Sequence, residues 1–357
     1  MSRTRLKDVV KQQKSSLKLS DLKKHGAFPV FGASGLVGYR DCFQSEKEAV
    51  AIIKDGAGIG RVSMLPKHSS VLGTMQMLEP KEGISNSYLF YYLSHLKLGK
   101  SFTGSTIPHI YFKNYSDSSF PDVSYNQQCQ VAEKLDAIRK SIEQKNNQLS
   151  VLDSLVKSRF MEMFGNPISN DKNWPTSTIE NCCYMKGLKT IPQKEKYWLL
   201  NLDKIESNTG EIIKKDYVTI DEIGNSTFFF DKDYVLYSKL RPYLNKVVVP
   251  NESGFGTSEL VPLKPNSFVD IVYLAHLLRS ESFVKWIDST SSGAKMPRAS
   301  VEALRSFTLP LPPIELQNQF ADFVHLIDKS RFVVQKEIKD LQELLDSKMD
   351  EYFGGEE

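Results

Sequence analysis

Two lysines end two apolar runs in the same way. Lys54 follows Ala49-Val-Ala-Ile-Ile53, and Lys239 follows Val235-Leu-Tyr-Ser238. Seven residues after each lysine stands a second base, Arg61 in one case and Lys246 in the other. The stretch between them is glycine-rich in the first copy and carries Arg241-Pro-Tyr243 in the second. Further along come two polar loops. One holds Ser105, Thr106 and His109, the other Lys295 and Arg298, and Lys186 and Lys189 form a separate basic pair. Ammonium groups and glycine backbone suit phosphate oxygens. Forked guanidinium groups, hydroxyls and rings suit base edges. The chemistry these residues point to is nucleic-acid binding.

The sequence offers no equipment for catalysis. It has no Asp/Asn-Pro-Pro-Tyr/Phe methyltransferase motif, its only adjacent prolines being Pro312-Pro313, and no Walker lysine loop. Gly32, Gly35 and Gly38 are spaced as GxxGxxG, which fits short strands and tight turns better than a nucleotide loop. His25, His68, His95, His109, His276 and His325 are scattered, and His95 and His276 sit in apolar helical contexts as structural side chains. No carboxylate pair stands in a nuclease context. The expectation is therefore no catalytic residue, no metal ligand and no cofactor in this chain. The thiols Cys42, Cys129, Cys182 and Cys183 lack metal-ligand spacing and read as reduced.

The elements that must position these residues occur twice. Shifted by 189 residues, Gly104–Gly165 lies over Gly293–Gly354 without a gap, and 15 of the 62 paired positions are identical. Roughly four matches would be expected by chance, since common residues each make up about a tenth of a protein or less. At an offset of 185, Lys54 lies over Lys239, Arg61 over Lys246, Pro80 over Pro265 and Tyr88-Leu89 over Tyr273-Leu274. A four-residue insertion in the second copy joins the two offsets. The order in each half is strand, basic loop, strands, helix, polar loop and long helix.

Local patterns fill in the rest. Residues 1–48 begin with a basic helical or irregular lead. Ala49–Ile53, Val62–Leu65 and Val71–Leu78 read as strands, with a flexible loop from Lys54 to Arg61, and Ser87–Leu98 reads as a helix. Residues 166–230 show no obvious counterpart in the first half and hold a hairpin at Ser207-Asn-Thr-Gly210.

The long helices carry a heptad seam. Leu135, Ile138, Ile142, Leu149 and Leu152 mark it in the first, and Val324, Ile327, Val334, Ile338 and Leu341 in the second. Lys145, Arg159, Arg331 and Lys348 fill its polar positions. A period of 3.5 sustained over five heptads marks a coiled-coil seam, and about 38 residues make a rod of roughly 57 Å. Each copy is the natural partner of the other. A pseudo-twofold relation predicts an antiparallel coiled coil with one globular unit at each end.

Composition supports a folded chain of two or three domains. Hydrophobic residues make up 40% and the net charge is +3. Residues 1–124 hold 17 basic and 10 acidic side chains, whereas residues 313–357 hold 5 basic and 11 acidic. No apolar run approaches the ~18 residues of a membrane span. The basic start has no apolar core behind it, so a cytoplasmic protein without membrane contact is expected.

This layout resembles the specificity subunit (S subunit) of type I restriction–modification systems, and the resemblance covers essentially the whole chain. It is carried by Phe28-Pro-Val-Phe-Gly-Ala-Ser-Gly-Leu-Val-Gly-Tyr39, by Lys54-Asp-Gly-Ala-Gly-Ile-Gly-Arg61 and by Gly293-Ala-Lys-Met-Pro-Arg298. Strongest is Leu309-Pro-Leu-Pro-Pro-Ile-Glu-Leu-Gln-Asn-Gln319. The first copy departs by keeping one proline in Phe120-Pro-Asp-Val-Ser-Tyr-Asn-Gln-Gln128. The resemblance implies an α+β chain of two α/β target-recognition domains, joined by two long conserved helices that form an antiparallel coiled coil. The segments are residues 1–123, 124–166, 167–312 and 313–357.

It also implies a non-catalytic subunit that recognises a bipartite, asymmetric site on double-stranded DNA. Two methyltransferase subunits would dock on the helices, and restriction (motor-nuclease) subunits would join through them. S-adenosylmethionine, ATP and Mg would belong to those partners. The residues alone leave rivals open: the specificity subunit of a type II system with a fused nuclease-methyltransferase, a stand-alone DNA-binding protein or adaptor, and a free-standing enzyme. If the halves are modular, exchanging residues 168–311 for those of another family member changes only one half of the recognised site, as read by mapping methylated sequences. A change in both halves would contradict modularity.

Overall fold

The computed structural model describes residues 2–100, 108–293 and 295–355. It divides into two compact units, one of Met1–Asn147 with Gln335–Glu357 and the other of Gln148–Val334. Each unit takes one recognition segment together with part of each long helix.

In the first unit, β1 (Arg3–Arg5), helix α1 (Leu6–Val9) and β2 (Val10–Gln13) replace the helical or irregular lead read from the sequence. β3 (Phe28–Gly32), β4 (Gly35–Arg40), β5 (Ala49–Ile53), β6 (Val62–Leu65), β7 (Ser70–Val71) and β8 (Met75–Pro80) follow. They form an antiparallel sheet β2-β8-β5-β6 and a smaller sheet β4-β3-β7. β5 is buried along its whole length, as its unbroken apolar run requires. The stretch read as one strand, Val71–Leu78, is two. The chain turns at Leu72–Thr74, where Gly73 N–H donates to Leu17 O at 2.8 Å. Helix α2 (Asn86–His95) is capped by Ser85 and stops short of the expected Leu98, because Lys97 takes φ 46. β9 (Ser119–Pro121) pairs with β1 and leads into helix α3 (Tyr125–Phe164).

The second unit repeats this order. It runs through β10 (Thr176–Thr178), α4 (Ile179–Cys182), β11 (Cys183–Tyr184), β12 (Tyr197–Leu200), β13 (Asp216–Val218) and β14 (Thr227–Phe230). Then come β15 (Val235–Ser238), β16 (Val247–Val248), β17 (Gly254–Thr257), β18 (Leu260–Pro265), α5 (Ile271–Arg279) and α6 (Glu281–Ser289). It closes with α7 (Val301–Ser306), β19 (Thr308–Pro310) and α8 (Ile314–Phe353). Its sheets are β11-β18-β15-β16 and β13-β12-β17-β14.

Strand register corrects the reading of residues 166–230 as lacking a counterpart. Arg3 faces Pro121 as Thr176 faces Pro310, and Val10 faces Pro80 as Cys183 faces Pro265. The parallel pair Phe31–Val71 is matched by Leu200–Gly256. The bridge Ser45–Ser69 is matched by Phe230–Gly254. The equivalence escapes the sequence because backbone hydrogen bonds carry it and the side chains differ, Arg3-Thr-Arg5 against Thr176-Ser-Thr178.

Within each unit the long helices pack antiparallel. In the first unit, Ala132 and Leu135 share a buried cluster with Met349 and Phe353, and Lys145 reaches Glu337 at 2.6 Å. In the second, Phe160 and Phe164 lie against Phe320 with ring centroids 5.5 and 5.4 Å apart, and Arg331 pairs with Asp153. Leu135, Val324, Ile327 and Val334 are buried, while Ile138, Ile142, Leu149, Leu152, Ile338 and Leu341 are half-buried. Of the four basic seam residues, Lys145 and Arg331 pair across the helices. Arg159 and Lys348 pair along their own, with Glu162 and Glu351. His276 packs edge-on against Phe320, and burial, then Arg279 and Arg331, push its imidazole down to about 3.

A buried glutamine near the start of each helix ties it to its recognition domain. Gln128 Oε1 accepts from Ser85 N–H at 2.9 Å, and its amide donates to Gly83 O and Val123 O at 3.2 and 3.0 Å. Gln317 repeats all three bonds, to Asp270 N–H at 2.8 Å, Phe268 O at 3.1 Å and Pro312 O at 2.8 Å. Truncation would leave three backbone groups, buried or part-buried, without their partner. Gln317→Ala is therefore expected to destabilise the second unit by roughly 3 kcal/mol, measured by denaturant unfolding. Gln128→Ala should do the same to the first. A loss below about 1 kcal/mol for both would show that the three bonds are not made together.

Candidate nucleic-acid interface

The basic residues are placed by one hydrogen-bond frame used twice. Lys54 N–H donates to Thr74 O, and Lys239 N–H to Glu259 O, each at 3.0 Å. Ile110 N–H returns to Lys54 O at 2.9 Å, and Ala299 N–H to Lys239 O at 2.8 Å. Gly56 N–H donates to Pro108 O at 3.2 Å, and Arg241 N–H to Pro297 O at 2.7 Å. Each lysine-terminated strand is thus stitched to the polar loop that precedes its long helix.

The turn after each lysine has left-handed backbone at both ends, and Gly58 adds a left-handed position that Tyr243 does not share. Gly56 and Arg241 occupy equivalent positions with φ +84 and 49, and Gly60 and Asn245 with φ +80 and 51. Left-handed backbone is natural for glycine, tolerable for asparagine and costly for arginine. The stretch Lys54–Arg61, expected as a flexible loop, makes its own backbone bonds, Gly60 N–H to Ile53 O at 2.8 Å and Arg61 N–H to Gly58 O at 3.1 Å. A Cβ on Gly60 would lie 2.1 Å from Gly99 N, so glycine here permits a close backbone approach. In the second unit Asn245 Nδ2 donates to Arg279 O at 3.0 Å, and Asn208 N–H reaches Leu244 O at 3.2 Å.

The structure brings five of the sequence candidates together in the second unit. Lys239, Arg241 and Tyr243 lie on the turn, and Lys295 and Arg298 on the loop stitched to it through the Leu240–Arg298 bridge. Arg241, Tyr243, Lys295 and Arg298 are exposed, and Lys239 is half-buried. Lys246 faces the other way, its ammonium donating to Leu202 O at 2.7 Å. Lys186 and Lys189 flank Leu188, which is bridged to Phe229, and Lys186 shares a groove with Lys264 and Arg305. In the first unit, Asp55 bridges to His109 as Leu240 bridges to Arg298. Lys54 lies 3.8 Å from Asp55, and Arg61 donates to Ala33 O. Ser105 and Thr106 fall outside the described residues.

Sequence reading missed two carboxylates and a ring. Asp55 Oδ1 lies 2.6 Å from His109 Nδ1. Glu259 binds Arg298 twice, with Nη2–Oε1 at 3.0 Å and Nε–Oε2 at 3.2 Å. That hydrogen bond holds the Glu259 carboxyl below its ordinary range and raises the Arg298 guanidinium. Tyr111, about half exposed, stacks beside His109 at 6.3 Å. Asp55 adjoins a candidate lysine and could have been suspected; nothing in the sequence singles out Glu259.

Comparison with known proteins settles the family. Residues 2–152 and 172–343 each match the model described as the type I restriction modification DNA specificity domain, one match per repeat. The chain belongs to this family. The EcoDI type I specificity subunit of Escherichia coli is 22% identical over 375 aligned positions, covering 93% of this chain and 82% of the relative. The MjaVIII specificity subunit of Methanocaldococcus jannaschii is 25% identical, covering 82% of this chain and 75% of the relative. A crystal structure of a type I S subunit from M. genitalium shares the fold, with a TM-score of 0.58 at 15% identity over 100% of this chain and 96% of that one.

The protein is thus a type I restriction–modification specificity subunit, a non-catalytic component. Such subunits bind DNA and other subunits of their complexes. Among the described residues, none of the helices is long and apolar enough to cross a membrane. Replacing Lys239 and Arg241 together by Ala should weaken DNA binding and lower the slope of log K against log salt by roughly two, since each phosphate contact contributes about 0.9. An unchanged slope would remove that turn from the DNA surface.

Proposed function

We propose that this chain recognises a bipartite, asymmetric double-stranded DNA site, one half through each unit, and carries two methyltransferase subunits on its long helices. Restriction subunits join through them. The observation that carries this reading is one frame bearing different side chains. The same hydrogen bonds support Gly56 and Arg241, and His109 and Arg298, at equivalent positions, and the intervening turn carries Gly58 in one unit and Tyr243 in the other. A common frame with unlike readers fits a site whose halves are related in geometry and unlike in sequence.

Docking on the helices is supported by apolar side chains outside the seam. Leu326, Phe332 and Val333 of α8 are 62, 69 and 54% exposed, and Val151 and Leu155 of α3 are also exposed within the same unit. Asp322, His325 and Lys329 rim the α8 group. Large apolar side chains gathered on one helix face, with a polar rim, suit a protein partner. In this reading S-adenosylmethionine, ATP and Mg act in the partners, this chain holds no cofactor, and the complex works in the cytoplasm.

Co-expression with the methyltransferase subunit tests the proposal. The expected result is a stable complex that adds methyl groups at one bipartite sequence, detected by mapping host DNA with and without the gene for this chain. Replacing Leu326 and Phe332 together by Asp should weaken that complex at least tenfold while leaving thermal unfolding of the free chain nearly unchanged. Methyl transfer by the chain alone, or a complex with no sequence preference, would overturn the reading.

A further inference from the structure

The cations of the second unit's loops are of two kinds. Among the described residues, Lys239, Arg241 and Lys295 have no carboxylate within ion-pair distance. Arg298, in the same group, is held side-on by both oxygens of Glu259. The first unit places His109 against Asp55 at the equivalent point. The two carboxylates come from different positions, Asp55 from the strand end itself and Glu259 from the turn before β18. Two unlike residue pairs therefore reach one arrangement, directly after the proline whose carbonyl closes each loop.

A phosphate contact is built in the opposite way. Its gain comes from a cation that displaces condensed counterions from DNA. A guanidinium already neutralised by a carboxylate displaces little, and the carboxylate repels a phosphate brought to the same place. What the pair supplies is direction. Glu259 occupies Nε–H and one Nη2–H, so the guanidinium plane is fixed and its end-on edge, one N–H from each Nη, points away from the carboxylate. Two parallel donors are the complement of guanine O6 and N7 in the major groove. With a side chain 46% exposed, Arg298 can present that edge.

Resting on the specificity-subunit reading above, we propose that Arg298 reads a guanine in the half-site of the second unit. Glu259 is its positioning residue, and Lys239, Arg241 and Lys295 hold the neighbouring phosphates. This divides the basic cluster into residues that set affinity and one that sets sequence.

The test uses the full chain in complex with its methyltransferase subunits. The site is first mapped by methylation, and binding is then measured on duplexes carrying each single base-pair change in the second unit's half-site, across a salt series. Arg298→Lys keeps the charge and loses the fork. It should lower the preference for one G·C pair by about tenfold or more, leaving the other positions and the salt slope as in wild type. Glu259→Gln should blur the same position. It should also steepen the salt slope by up to about one, because the freed guanidinium can then take a phosphate.

Two variants guard against misfolding of either, and thermal unfolding checks both. Arg298→Lys that lowers the salt slope while leaving every base preference intact would overturn the proposal. So would Glu259→Gln indistinguishable from wild type in both readouts. A wild-type complex without sequence preference would instead overturn the specificity-subunit reading, and this inference with it.

Discussion

Two forty-residue helices with apolar stripes cannot stand alone in water, and most of this structure follows from that. A surface helix buries its stripe on its own domain. Here the stripe outlasts the domain it starts from, so each helix is obliged to cover the other. The antiparallel direction lets one helix's start meet the other's end. Phe353 therefore lies among Tyr88, Tyr92 and Phe120, and Phe164 against Tyr273 and Phe320. Each core is completed by an aromatic residue from the far end of a helix that began elsewhere. Both ends are then closed by a donor from another segment of the same unit, Arg3 on Gly354 O at 2.7 Å and the Trp174 indole on Phe164 O at 3.1 Å. Donors at exposed helix carbonyls satisfy orphan groups, and the guanidinium also favours the negative end of the dipole.

The recognition domains are fastened to this framework by polar groups. Gln128 and Gln317 are buried and make the same three bonds to backbone, and a buried amide so fully satisfied permits one arrangement where an apolar contact would permit several. The second unit adds the Arg331 cluster, which reaches Glu211 at 3.7 Å as well as Asp153 and Asp328. Stability comes mainly from the apolar clusters, and orientation from a few bonds whose loss would be felt at the loops.

Much of this was legible. The heptads and the identities at a fixed offset disclosed the duplication, the long helices and the pairing of Lys54 with Lys239. The equivalence of β1–β3 with β10–β12 was not legible, because a strand is defined by its neighbours and any side chain of suitable shape will serve. Helix α6 was hidden in what looked like a four-residue insertion. At the site, charge type was visible and charge partnership was not. Arg298 looks like any loop arginine until Glu259, 39 residues earlier, is seen to hold it. Lys246 repeats the position of Arg61, and each spends its charge on a carbonyl inside its own domain, Leu202 O and Ala33 O.

The left-handed turn after each lysine has a bearing on how such proteins diversify. Its first and last residues, Gly56 and Gly60 or Arg241 and Asn245, are constrained by backbone geometry in both units; at the middle, Gly58 is left-handed too with φ +81, whereas Tyr243 is not and lies half exposed. Variation is thereby channelled. In the second unit a library that randomised position 243 and held the turn's ends to glycine or asparagine would sample new surfaces without breaking the frame that presents them; in the first unit the middle asks for glycine as the ends do. Randomising the ends would mostly return chains that no longer fold there. The second unit's turn acts as a socket with two fixed pins and one exchangeable contact, which the first unit, glycine at all three places, leaves bare.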